Sequence, residues 1–227
     1  MTSINLSQQT QFNKGSLGYG LLVYLARSRK GFSFSQELGE YVHNSNGRVV
    51  TPGKINQESS AYVENVRDNM TFQAKRLTDG RISLPEFQRQ MRKEIKDAWR
   101  TQYLLGRGGR GQMTQADWGR IGGRLQFQYA RLNQFAADIA ADTMTEAQIQ
   151  ARAALYSGAN RTALYDGTTQ RMQGAGKEEE RRVLNPAEHC PDCTGFAARG
   201  WVPIGTLPEP GQQSVCLTNC KCTKEYR

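Results

Sequence analysis

The chain has 227 residues, with 30 Lys+Arg against 21 Asp+Glu and a formal net charge of +9. That length suits one ordinary domain, or one domain with small appendages. The positive excess suits polyanionic partners such as nucleic acid or an acidic protein surface, or simply a solvated basic face. Only 37% of the residues are hydrophobic and no stretch approaches the roughly eighteen apolar residues of a membrane span, which argues for a thin core and against a membrane protein.

The first segment, "MTSINLSQQTQFNKGS", is polar and lacks the apolar centre of a signal peptide. The apolar run "LGYGLLVYLA" at 17–26 carries Arg27, Arg29 and Lys30 on the wrong side for secretion. These features predict retention in a reducing cytoplasm, where clustered cysteines are more often metal ligands than disulfides. Residues 1–58 show no sustained period and read as an extended arm with one short helix or hairpin. "TPGK" at 51–54 reads as a turn. An arm of that length loses ordering entropy unless a neighbour holds it.

From Glu58 the period becomes helical. Tyr62, Val66, Met70 and Leu77 share one face of a helix that Gly80 should cap. "SLPE" predicts the next start, with Ser83 as cap and Glu86 as its reciprocal partner. Phe87, Met91, Ile95, Ala98, Trp99 and Tyr103 then form an apolar stripe that should end at "GRGGRG", residues 106–111. Thr114 and Asp117 open a third helix, with Trp118, Ile121, Leu125, Phe127, Tyr129, Leu132, Phe135 and Ile139 on its apolar side. Thr145 and Gln148 form another capping pair, and a last helix runs from Ile149 toward Met172. "GAGKEEERR" at 174–182 reads as a flexible charged linker. No internal repeat of fixed period is present. The expected architecture is therefore mainly α. It has an extended N-terminal arm (1–58), a small helical bundle or hairpin array (59–175), and a small cysteine-rich α+β knob (176–227) resembling a zinc knuckle.

Most motifs favour ordinary structural readings. "GRGGRG" has neither a strand before it nor a Lys-Ser/Thr pair after it, so an interhelical hinge is favoured over a phosphate loop. Arg107 and Arg110 within it are candidates for contact with a nucleic-acid backbone or an acidic partner. His43 stands apart from any carboxylate or thiol in sequence and reads as a turn residue. Glu178, Glu179 and Glu180 read as a solvated charge run. The aromatic residues recur at helical spacing, so core packing outranks base stacking. No nucleophile, base or paired-carboxylate pattern emerges, so no enzyme is expected.

The cysteines are different. All five fall near the C-terminus: Cys190 and Cys193 as C-x2-C, then Cys216, Cys220 and Cys222 as C-x3-C-x-C. Two thiol groups on two turns suit a structural tetrahedral Zn2+ site. The first-choice ligands are Cys190, Cys193, Cys216 and Cys220. Cys222 competes for either of the last two positions, and His189 is a sixth donor. Between the two groups Phe196, Trp201, Val202, Ile204 and Leu207 offer a mini-core around the metal, and a module this small needs such a staple. Disulfides are the lesser alternative, and a redox dithiol would need a thioredoxin-like βαβ setting.

The C-terminal block resembles the phage head morphogenesis proteins, the Mu gpF-like minor head proteins. The resemblance rests on "AEHCPDC", "GTLPEPG" and "CLTNCKCTKEYR". The helical "QADWGRIGGRLQFQYARLNQFAADIA" and "TEAQIQARAALYSGANRTALYDG" extend it over roughly residues 84–227. Many relatives close with "HPNCRC". Here Leu217 stands where they have histidine, and Cys216 one residue earlier can replace it as donor. The resemblance implies a structural virion component that binds portal or major capsid protein during head assembly and DNA packaging. It implies a multi-copy assembly, found in the host cytoplasm and then in the head or neck of the virion. The alternative is a basic zinc-binding module that contacts nucleic acid directly.

Overall fold

The computed structural model describes residues 31–227, so the apolar run at 17–26 and the polar segment before it lie outside the described residues. The chain is mainly helical, with small strands and a cysteine cluster near the C-terminus. The first elements are strands β1 (Phe32–Ser35) and β2 (Glu40–His43), an antiparallel hairpin pairing Phe32 with His43 and Ser35 with Glu40. Phe32 and Tyr41 turn inward, their rings edge-to-face with centroids 5.3 Å apart. Tyr41 Oη donates to the Leu105 carbonyl at 2.7 Å. This part of the expected arm is therefore folded onto the helices. Phe32, Tyr41, Val50, Leu105 and Leu164 form a small core of their own.

Helix α1 (Pro52–Thr78) starts six residues before the expected Glu58. "TPGK" is a helix start rather than a turn. Thr51 Oγ1 accepts from Lys54 N at 3.3 Å, and Pro52 occupies a first-turn position where its missing N–H costs nothing. Tyr62, Val66, Met70 and Ala74 are buried as the period predicts. Gly80 ends the helix with φ +69°: its N–H bonds to Leu77 O while Arg81 N–H reaches Arg76 O.

Helix α2 (Leu84–Arg107) buries Phe87, Met91, Ile95, Ala98, Trp99 and Tyr103. Ser83 Oγ caps it by accepting from Glu86 N at 3.4 Å. The Glu86 carboxylate does not return the bond and instead meets Gln90 and Arg89. Helices α3 (Gln115–Ala140) and α4 (Glu146–Ala159) both open with the predicted reciprocal caps, Thr114 with Asp117 and Thr145 with Gln148. The last expected helix is two: α4 breaks at Asn160 and α5 (Arg161–Gly174) follows. Ser157 and Thr162 hydroxyls bond the carbonyls of Ala154 and Ala159, and the Ser157–Gly158 pair is the kind of site where a helix bends.

The first half of "GRGGRG" is packed, whereas Arg110 and Gly111 are exposed on the connection between the helices. Gly106 lies inside α2, where an added Cβ would fall 2.0 Å from Leu164 O. A Cβ on Gly167 of α5 would fall 2.4 Å from Tyr103 O. The two backbones touch because neither glycine carries a side chain. Gly108, with φ +97°, caps α2 against the Phe34 ring.

The charged segment after α5 is no linker. β3 (Glu179–Val183) is the middle strand of an antiparallel sheet, flanked by β4 (Val202–Pro203) and β5 (Thr223–Tyr226). Strand alternation sends Glu180 and Arg182 inward and leaves Arg181 outside. Glu180 is fully buried and paired with Lys224 of β5. The expected mini-core is only partly apolar. Leu207 is buried, while Trp201 lies under Arg181 and Arg227, 4.8 and 4.5 Å from its centroid.

Candidate metal centre

The short helix α6 (Pro191–Ala198) sets the first cysteine pair. Cys190 is its extended N-cap, Pro191 follows, and Cys193 sits in the first turn. A C-x2-C at a helix N-terminus is shared with redox dithiols, yet the flanking strands β3 and β4 run antiparallel, unlike a parallel βαβ unit. The second group wraps a single 3-10 turn, Leu217–Asn219. Asn219 N–H bonds Cys216 O at 2.8 Å and Cys220 N–H bonds Leu217 O at 3.1 Å. Leu217 takes a positive φ of 41° to close the turn. Cys222 then enters β5.

Cys193 is the pivot. Its Sγ lies 3.6 Å from that of Cys216 and 3.7 Å from that of Cys220. A tetrahedral ion with metal–sulfur bonds of about 2.3 Å holds its sulfurs about 3.8 Å apart, so these are the edges a metal would require. All five thiols are free rather than disulfide-bonded. The donors gather in two groups within metal-sharing reach: Cys190, Cys193 and Cys216, then Cys193, Cys220 and Cys222. Cys193, Cys220 and Cys222 are buried and the other two half-buried. The cluster can therefore hold a metal ion. The first-choice four are divided between the groups, and Cys222 stands inside one of them.

His189 completes the picture. Its Nε2 lies 2.6 Å from the Asn185 carbonyl, which can only accept. The ring proton therefore belongs on Nε2, leaving the Nδ1 lone pair facing Cys222 Sγ at 3.6 Å. Burial pushes the thiols of Cys193, Cys216 and Cys222 up. Burial also opposes the Cys190 thiolate, but bonds from the backbone and thiols of Cys193 and Cys216 outweigh it and bring Cys190 down to about 7.

The cluster is fastened to the helices through its main chain. Arg161 donates to Cys220 O at 3.3 Å and to Ser60 Oγ of α1 at 2.8 Å. Tyr165 Oη donates to Cys222 O at 3.3 Å. Asn185 Nδ2 donates to Lys221 O at 2.6 Å.

No protein-family model, curated protein or solved structure matches the chain.

The other sequence candidates separate. Arg107 is turned inward, its Nε 3.0 Å from Asp117 Oδ2, so it serves the fold rather than a partner. Arg110 is exposed on the turn after α2. Asp117 gathers Tyr103 Oη at 2.6 Å, Thr114 N at 2.7 Å and Arg107. Phe72 and Phe127 are exposed, under Arg76 and Arg131, whereas Phe87, Trp99, Tyr103 and Phe135 are core. Sequence reasoning missed the Glu180–Lys224–Glu209 cluster. Its one signal was alternation within two charged strands. Among the described residues no helix is long and apolar enough to cross a membrane.

Proposed function

We propose that this chain is a structural minor head protein of a tailed bacteriophage, binding portal or major capsid protein during head assembly and DNA packaging. The observation that carries the reading is the cysteine knob. "AEHCPDC" and "CLTNCKCTKEYR", the segments behind the family resemblance, converge in one thiol cluster, and the second ends in a short strand paired with β3. The ion we assign is Zn2+, because a soft, mostly thiolate set with tetrahedral edges suits it. Its role is structural, holding a small module rigid against the bundle. Val215 and Leu217, beside Cys216, are 73% and 59% exposed, and give that rigid module an apolar contact for a protein partner. The protein acts in the host cytoplasm during assembly and in many copies in the head or neck of the virion.

Direct nucleic-acid binding is the competing reading. Arg107, Arg161, Arg171 and Arg182 are engaged within the fold, which reduces the cationic surface available for it. The test is co-sedimentation of the purified chain with portal oligomers and procapsids of the same phage. Binding that survives moderate salt and needs no DNA supports the assembly role. Binding only to DNA, falling steeply with salt, would replace it with the nucleic-acid reading.

A further inference from the structure

We propose that the thiol cluster is a binuclear centre, two Zn2+-class ions held by Cys190, Cys193, Cys216, Cys220, Cys222 and His189, with Cys193 and Cys220 bridging. This rests on the reading of the cluster as a metal site and goes further in donor count and stoichiometry. The two three-donor groups overlap at Cys193, which marks that sulfur as shared. Two tetrahedral ions present eight ligand positions, and six donors fill them only when two thiolates bridge. Cys220 is the second bridge. It lies 3.7 Å from Cys193, the shared sulfur, and is grouped with Cys193 and Cys222. The first ion then takes Cys190, Cys193, Cys216 and Cys220. The second takes Cys193, Cys220, Cys222 and His189 Nδ1, already beside Cys222 and held in the required tautomer by Asn185.

Charge favours the arrangement. One divalent ion on four thiolates leaves a net −2 in a half-buried site and strands a fifth thiol and an imidazole beside it. Two ions on five thiolates and a neutral imidazole leave −1 and use every donor. Less uncompensated charge in a poorly solvated site costs less. Five thiol protons leave as the two ions bind, and no oxidant or reductant is needed.

The test is elemental analysis of the full-length chain, expressed with zinc and purified without chelator. Two ions per chain are expected. One ion per chain would overturn the binuclear centre and leave the single-metal reading standing. None would overturn both. The same chain loaded with 113Cd2+ should give two cadmium resonances split by mutual coupling through the shared sulfurs. A single resonance would count against the proposal. His189→Ala removes one corner of the second ion only, so metal content should fall from two to one. A His189→Ala chain that keeps both ions would remove His189 from the ligand set and with it the proposed donor count.

Discussion

Lys224 and Glu180 meet at 2.9 Å with neither side chain exposed to solvent. The same ammonium reaches Glu209 Oε1 at 3.1 Å and the Leu207 carbonyl at 2.9 Å. One cation thus answers two buried carboxylates, and burial raises the Glu209 carboxyl pKa despite that partner. Lys224→Met should lower stability by roughly 3–5 kcal/mol, because it strands buried charge. Glu180→Gln should cost less, since Lys224 keeps Glu209. Denaturant midpoints at neutral pH check both.

The glycines of α2 and α3 should respond in opposite directions. Gly106→Ala drives a methyl into the Leu164 carbonyl and should cost about 1–3 kcal/mol or more. Gly119, exposed within α3, has nothing within 4 Å of an added Cβ. Gly119→Ala should stabilise by about 0.5–1 kcal/mol through helix propensity. Melting temperatures of the two variants should move apart from that of the parent.

Asp117 ties stability to pH. Burial works against its carboxylate, but bonds from Tyr103, Thr114 and Arg107 outweigh it and hold its pKa below the ordinary range. A lowered folded-state pKa contributes stability above the unfolded carboxyl value, about 3.9, and that contribution is lost as pH falls through the folded value. Asp117→Asn should cost about 1.5–3 kcal/mol at pH 7, the worth of one bond to a charged group. Parent and variant should converge as pH drops below about 4. Urea midpoints across that range decide it.

Metal removal should act on the knob before the bundle. The main core joins residues between Tyr62 and Ala163 and includes none of the knob. A strong chelator should therefore produce an early unfolding transition while most helical circular dichroism persists. With free zinc at about 1,000 times its Kd, binding stabilises by about 4 kcal/mol, and the early transition should shift accordingly. A chelator that leaves the melting profile unchanged would contradict a stapling role.

Helix faces were legible where one side is apolar and the other wet. Tyr62, Val66 and Met70, and likewise Phe87, Met91 and Ile95, stand where the period puts them, and two of the three predicted reciprocal caps formed. Legibility failed where burial is polar. β3 hides Glu180 and Arg182 behind a pattern that reads as solvent-facing, because buried charged side chains leave no hydrophobic period. It failed again at "TPGK", where proline and glycine signal a turn and a helix start alike. The cysteines were legible as a group, but their division around Cys193 depends on turns that bring Cys216 and Cys220 to opposite sides of one sulfur.

Helix α5 carries a consequence in time rather than in space. It is buried on nearly every side, with Gly167 against α2, Arg171 bonded to Gly106 and Gly39, and Tyr165 and Thr169 against the knob. Its hydrogen bonds join residues 57, 65 and 132 positions apart. Contacts closed over such separations form late, after the local helices have condensed. Substitutions on α5 should therefore speed unfolding far more than they slow folding, making this short helix the bolt that governs how long the native state lasts.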